Sequence, residues 1–431
     1  MLLEEIINSK NINKAVGITS ICSANKYVLK AAMQFEKKNN NKLLIESTSN
    51  QVDQFGGYTG MTPSDFVAYV KNIAEEVDFS FNNIIFGGDH LGPNVWQNES
   101  AESALKKAED QIRAYVSAGF RKIHLDTSFP LGDDNRLKPL APSIITKRAA
   151  RLCAVAEEVY SKLTIPSEKP VYIIGTEVPI PGGAKEEEET ISVTTTEDLE
   201  ETIELSKNAF YEKGLVEAWE RVIAVVVQPG VEFSDTKVFK YNRNKASKIK
   251  NKIEEYPNLV LEAHSTDYQS KTSLTEMVND HFGILKVGPW LTFAIREAFF
   301  ALAAIENELI DIKRRSNFRY EIDKVMKENP KYWKNHYHGT EKEIELARSF
   351  SYSDRIRYYW TNKKVLIIID KLMKNLYEIN IPNTLINQYL PTQYYQIMEN
   401  KIKNDPESLV ISKVTEVLKI YSSACGGNIE K

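Results

Sequence analysis

Eight short, almost wholly apolar stretches recur along the first two thirds of the chain, each followed by a longer amphipathic segment. They are AVGITSICS (15–23), LLIESTSN (43–50), IIFGGDH (84–90), KIHLDTS (122–128), VYIIGTEVP (171–179), VIAVVVQPG (222–230), LVLEAHST (259–266) and ILKVGP (284–289). A strand that is apolar on both faces must be covered on both, as parallel strands are beneath crossover helices. Helical pattern runs through 101–118, 144–160, 198–213 and 245–256. Another helix opens at Thr62, with Pro63 next and Asp65 three residues on, a capping-box start with proline at the first helical position. The segment LTFAIREAFFALAAIENEL (291–309) is apolar on most faces, which predicts a buried helix. Eight βα units of this size predict the α/β class and a (β/α)8 barrel over residues 1–309. A doubly wound open sheet is the rival, but no GxGxxG follows the first strand.

From 310 to 431 the texture changes to Lys, Asn, Tyr and Ile with helical pattern and no β run. This predicts a helical C-terminal extension packed on the barrel. Seven Tyr and Trp residues fall between 332 and 360; they suit either packing onto the barrel or an interface core, including one with a second copy of the chain. The acidic run 186–189 marks a solvated loop. With 55 Lys+Arg against 59 Asp+Glu the formal charge is −4, which argues against a protein that covers nucleic-acid phosphates. Cys22, Cys153 and Cys425 are widely spaced and odd in number, so a reducing cytoplasm is expected rather than a disulfide framework. Glu4 and Glu5 stand where an export signal needs positive charge. The most apolar stretch, 291–305, is interrupted by Arg296 and Glu297 and is too short to span a membrane.

In a barrel of this kind the chemistry sits where the strand C-termini meet their loops. Those ends display Glu46, Asn50 and Gln51 after the second strand, then Asp89-His90, then His124 and Asp126. Glu177, Gln228, Glu262, His264, Ser265 and Asp267 follow on later strands. Three of the six histidines of the chain lie on this rim. Imidazole and carboxylate together suit a divalent ion such as Zn2+ or Mn2+ with an open position for substrate. His90, Glu177 and His264 are the expected metal ligands, and Asp89, His124 and Asp126 the expected proton-handling groups. The aspartates have a second reading, orienting a histidine through its other ring nitrogen. Glu46, Asn50, Gln51, Gln228, Ser265 and Asp267 are expected to contact substrate. Such a site suits a ketose, whose carbonyl and hydroxyl a metal polarises as a C–C or C–H bond breaks. Gly87, Gly88 and Gly92, Gly182 and Gly183, and Gly288 are either phosphate cradles or simply tight turns. His336 and His338 lie outside the barrel segments.

Longer motifs point to a family. ESTSNQVDQFGGYTGMTP (46–63), GGDHLGPNVWQ (87–97), IGTEVPIPGGA (174–184), VVQPGVEF (226–233), EAHSTDYQ (262–269) and ILKVGPWLTFAIREA (284–298) resemble the tagatose-bisphosphate aldolase accessory-subunit family, known as GatZ, KbaZ or AgaZ. YWKNHYHG (332–339), SYSDRIRYYW (351–360) and NQYLPTQY (387–394) continue the resemblance into the tail. It implies a barrel in galactitol and N-acetylgalactosamine catabolism. The expected role is that of a non-catalytic partner supporting a separate class II, zinc-dependent aldolase, which cleaves D-tagatose 1,6-bisphosphate. The alternative is a metal-dependent ketohexose or ketohexose-phosphate 4-epimerase, since other relatives invert C4 on their own. Class II aldolases carry an Asp-His pair that Asp89-His90 resembles, the Asp moving a proton and the His binding zinc. Three features depart from the pattern: Gln228 where a further histidine is expected, Asn25 in place of a histidine, and a long basic segment, FPLGDDNRLKPLAP (129–142).

Overall fold

The computed structural model describes residues 2–11, 16–163, 168–177 and 191–426. All eight apolar runs form strands: β1 (Ile18–Cys22), β2 (Leu43–Thr48), β3 (Ile84–Leu91), β4 (Lys122–Leu125), β5 (Val171–Ile174), β6 (Val222–Val227), β7 (Val260–Ala263) and β8 (Phe282–Val287). They pair in parallel and in chain order, and β8 pairs with β1 to close the barrel. The chain is therefore a (β/α)8 barrel. Several strands stop earlier than their apolar runs predict, because the last polar residues of each run leave the ladder and form the rim.

A helix follows every strand: Lys26–Asn39, Pro63–Glu76, Ala101–Ser117, Pro142–Ser161, Thr196–Glu212, Arg243–Ile253, Lys271–Asn279 and Pro289–Leu309. The capping box at Thr62 forms in full, with Asp65 N donating to Thr62 Oγ1 and Thr62 N to Asp65 Oδ2. The sequence reading did not anticipate Lys26–Asn39 and Lys271–Asn279, whose starts are set by Asn25 and Ser270. Asn25 Oδ1 accepts from Tyr27 N at 2.9 Å, which gives that departure from the family pattern a local purpose.

Alternate residues of each strand point inward, and the barrel interior changes character with height. Its lower levels are hydrocarbon, including Leu44, Ile85, Val260 and Ile284, closed from below by Leu3 and Ile6 of the N-terminal helix Leu2–Asn11. One level up, in register, stand Glu46, Gly87 and Lys122. Glu262 and Lys286 follow two residues after Val260 and Ile284. The outward-facing residues, such as Ile45, Phe86, Ile123 and Leu261, belong to a second core shared with the helices.

Among the described residues the stretch from 310 onward is helical, and its core is continuous with that outer layer. The last helix, Pro406–Ala424, packs on Lys26–Asn39, Lys271–Asn279 and Pro289–Leu309. Tyr421 OH donates to Thr266 O, and Gly17 N to Cys425 O. The segment 351–360 reaches the barrel mouth. Its anchor is Asp354, buried and left-handed (φ 44°), which accepts from Arg296 and Thr292 at 2.6 Å each. The aromatics crowd inward as well: Tyr358 stacks on Tyr332 and meets Tyr58 edge-on at 4.9 Å. No helix of the described residues is long and apolar enough to cross a membrane.

Candidate metal centre and cavity at the barrel mouth

The end of β3 is shaped by glycine. A Cβ on Gly87 would come within 2.7 Å of the Glu46 carboxylate, and one on Gly92 within 1.7 Å of Asp126 O. Gly92 N donates to Gln111 Oε1 and Gly288 N to Asp267 Oδ1. These glycines allow close approach, and the two amides are committed within the protein. Gly182, Gly183 and the acidic run 186–189 lie outside the described residues. Between Gly88 and Leu91 the β3–β4 register shifts, and His90 takes a left-handed conformation (φ 48°). Two adjacent residues of a strand ordinarily face opposite sides; the irregularity lets Asp89 and His90 both reach the mouth.

Each of the three rim histidines is held by a carboxylate. His90 Nδ1 donates to Asp126 Oδ2 at 2.8 Å, His124 Nδ1 to Asp89 Oδ1 at 2.8 Å, and His264 Nε2 to Glu262 Oε1 at 3.0 Å. His90 N also lies 3.2 Å from His124 Nδ1. A ring nitrogen cannot donate and accept at once, and the shorter bond to a carboxylate is the stronger. The opposite nitrogen of each ring then carries a lone pair. His124 Nε2 and His264 Nδ1 are buried and lack a hydrogen-bond partner. The three ring centroids stand 4.9–5.2 Å apart.

Beneath them is a layer of buried charge. Lys122 Nζ sits 2.6 Å from Glu46 Oε1 and 2.8 Å from Glu262 Oε2, with all three side chains fully buried. Lys286 reaches Asp89 Oδ2. Burial works against every one of these charges. For Glu46 and Glu262 the Lys122 ammonium outweighs it and holds both carboxyls below the usual range. The same two carboxylates overcome burial at Lys122 and raise it. Burial wins at Lys286 and pulls it down. At Asp126 burial is overcome by the His90 bond and the nearby imidazoles, which hold the acid low. Burial, reinforced by the neighbouring His90 ring, lowers His124 to about 4. Burial lowers His264 to about 4 against the pull of Glu262. Both rings are therefore neutral at pH 7, with lone pairs free to bind.

One donor atom from each of Asp89, His124, Glu262 and His264 lies within 4.8 Å of the others. Glu262 is already satisfied by Lys122 and His264. The ring nitrogens left without a hydrogen bond are thus His124 Nε2 and His264 Nδ1, while Asp89 Oδ2 is met by Lys286 and lies 3.4 Å from His90 Nε2. Carboxylate-oriented imidazole is the standard support of a metal-binding histidine, so the residues present fit a divalent ion.

Above the cluster opens a cavity of about 940 Å3, its open mouth included, lined by His90, His264, Asn50, Gln51, Ser265 and Asp267 among others. The structure thus brings together most of the residues read from the sequence, with three exceptions. Glu46 lies below the cavity, buried against Lys122. Glu177 is exposed and bound by Thr194 Oγ1 at 2.8 Å. It shares a separate depression with Gln228, whose Oε1 accepts from Gly230 N. The glutamate that lies among Asp89, His124 and His264 is Glu262 and not Glu177. Lys122, Lys286, Arg357 and the Tyr58–Tyr358 pair were not anticipated. A lysine inside an apolar strand run was the available signal for the first two.

The fold and this rim define a (β/α)8 barrel with a histidine–carboxylate centre at the C-terminal ends of its strands. Residues 3–426 match the family described as D-tagatose-1,6-bisphosphate aldolase subunit GatZ/KbaZ-like, and the chain belongs to that family. A solved structure from Sinorhizobium meliloti 1021, described as a probable tagatose 6 phosphate kinase, is 43% identical over 95% of this chain and 100% of its own, with a TM-score of 0.87. The fructuronate-tagaturonate epimerase UxaE from Cohnella laeviribosi is 9% identical over 95% of this chain and 81% of its own (TM-score 0.48). The YdjI aldolase from Escherichia coli K12 is 11% identical over 86% and 96% (TM-score 0.41). The last two are distant likenesses and carry no argument.

Proposed function

We propose that this barrel is a divalent-metal-dependent ketohexose 4-epimerase that breaks and remakes the C3–C4 bond. The observation that carries the reading is the set of three buried imidazoles, each oriented by its own carboxylate, with His90 and His264 lining the cavity and with His124 Nε2 and His264 Nδ1 left without a hydrogen-bond partner. Buried polar groups without partners are costly unless a ligand uses them. A divalent ion held by His90, His124 and His264 would polarise the ketose carbonyl and the hydroxyl beside it. Asp89 Oδ2 is placed to take the proton of the C4 hydroxyl as the C3–C4 bond breaks into an aldehyde and an enediolate. It returns that proton once the aldehyde has turned over and the bond has re-formed with C4 inverted. Lys286, beside Asp89, supplies positive charge where the enediolate develops. Asp126 keeps His90 in one tautomer, and Asn94 Nδ2 and Ser128 Oγ hold Asp126 in turn.

Family membership favours a second reading, an accessory subunit that binds a class II tagatose-bisphosphate aldolase and stabilises its active form by mass action. The reducing cytoplasm, where three buried and unpaired cysteines persist, suits either role. The test uses the purified chain with Zn2+, Mn2+ or Ni2+, given D-tagatose, D-tagatose 6-phosphate or D-tagatose 1,6-bisphosphate and read by NMR. A metal-dependent fructose epimer supports the enzyme. No turnover, with stimulation of an added class II aldolase, supports the subunit and ends the epimerase reading. Metal content provides the site's own check: His90→Ala and His264→Ala lose roughly 100-fold or more in affinity, whereas Glu177→Gln changes it less than about threefold. Unchanged metal content in both histidine variants would remove the ligand assignment.

A further inference from the structure

The cavity over the histidines is also lined by Arg357, which belongs to the C-terminal extension and not to the barrel. In barrels of this fold a phosphate group commonly rests on the loops after the seventh and eighth strands, at the start of a following helix. Here that place is filled from within. Asp267 Oδ1 accepts from Gly288 N at 3.0 Å and from Trp290 N at 2.8 Å, where the helix Pro289–Leu309 begins. A buried carboxylate holds the amides an anion would need, and it repels a second anion.

Cationic recognition in the cavity then falls to two side chains. Lys286 is engaged by Asp89. The Arg357 guanidinium donates to Ser353 O and to Tyr358 OH, and Asp354 and Asp267 are close enough to attract it without forming an ion pair among the described residues. Those two bonds use two of its five N–H donors, and the guanidinium plane also lies over the Tyr358 ring, 4.5 Å from its centroid. The turn that carries it, Arg355–Tyr359, follows directly on Asp354, which Arg296 and Thr292 pin to the barrel. The guanidinium is thus placed before any ligand arrives, which lowers the entropic cost of binding. Asn25, Asn50 and Thr361 add uncharged donors to the same cavity.

We propose that Arg357 recognises the phosphate of a phosphorylated ketose, so that the C-terminal extension sets the preference for sugar phosphate over free sugar. This rests on the reading above that the cavity takes a ketohexose. The planar fork of arginine meets two phosphate oxygens side by side in a way that an ammonium does not.

The test is calorimetric titration of the full chain after chelator treatment, with D-tagatose 6-phosphate, D-tagatose and inorganic phosphate as probes. The unmodified chain is expected to bind the phosphate ester roughly 10- to 100-fold more tightly than the free sugar. That ratio collapses toward one in Arg357→Gln and is partly retained in Arg357→Lys. A ratio undiminished in Arg357→Gln overturns the proposal, as does an unmodified chain with no preference or no binding of either phosphate probe. Should Arg357→Gln fail to fold, judged by circular dichroism, Arg357→Lys carries the test and its ratio must still fall. Binding is read without metal or turnover, so an inactive chain that binds phosphate through Arg357 defeats the epimerase reading and leaves this one standing. Turnover of D-tagatose with no phosphate preference does the reverse.

Discussion

The barrel mouth has two halves built on different principles. On the side of β3, β4, β7 and β8, every ionisable group is buried and answered by a partner of opposite charge or by a hydrogen bond. On the side of β5 and β6, Glu177 stands exposed and, among the described residues, is bound by Thr194, and Gln228 turns back to its own loop. In sequence the two halves look alike, since each strand ends in polar residues. The difference shows that position at a strand end is not enough to make a site. What distinguishes the first half is a charged layer deep enough to exclude water, so that each side chain has one orientation and one protonation state.

The largest expected effect lies at the foot of that layer. Lys122→Met keeps length and packing but leaves Glu46 and Glu262 buried with no cation between them. Breaking such a pair typically costs about 3–5 kcal/mol, because the uncompensated charge stays buried. Urea denaturation should show a loss of that size, and returning the cluster to its original net charge with Glu46→Gln in the same chain should recover part of it. A loss below about 1 kcal/mol would mean that water or protons reach the layer, and the contrast between the halves would fail.

The barrel itself was legible because eight apolar runs carry a period that only two-sided burial explains, and each one became a strand. The site was legible in part, for a geometric reason. Sequence places His90, His124 and His264 at strand ends but does not say which lie across the mouth from one another. Glu177 and Glu262 are equivalent by that measure, and only the closed ladder separates them. Lys122 and Lys286 were visible as charges inside apolar runs, yet their partners, Glu46 and Asp89, come from strands far away in the chain. Arg357 carried no signal at all, because nothing local says that the turn after Asp354 folds back over the mouth.

Acid sensitivity gives an intermediate effect with a definite sign. His124 and His264 titrate near 4 when folded, against about 6.5 unfolded. Their contribution is present above pH 6.5 and is lost as pH falls toward 4. Asp267 goes the other way. Burial raises it to about 6 against the amide bonds it accepts, so its contribution is present below the unfolded value of about 3.8 and is lost as pH rises through 6. Near pH 5 the unfolded chain therefore holds about two more protons on the histidines and one fewer on the aspartate. These three groups alone tilt stability downward on acidification by about 1.4 kcal/mol per pH unit. Urea unfolding between pH 4.5 and 5.5 should become steeper by about that amount in Asp267→Asn and shallower by as much in His124→Gln. Equal slopes in all three chains would show that these groups titrate normally and that the well-ordered half is wetter than its burial implies.

The smallest effect belongs to the other half and is the stricter control. Thr194 donates to Glu177 and its oxygen accepts from Gln228 N at 2.9 Å, so among the described residues it ties the two together. Thr194→Val removes both bonds with little change in volume. Hydrogen bonds of this kind contribute about 1 kcal/mol when buried and less where water can replace the lost partner. The midpoint of thermal unfolding should fall by only a few degrees, with metal affinity unchanged, because no charge is stranded and no imidazole is released. A loss as large as that of Lys122→Met would mean that Glu177 and Gln228 are held as firmly as the histidines. It would join the two halves into one site, with Glu177 again a contender for the metal.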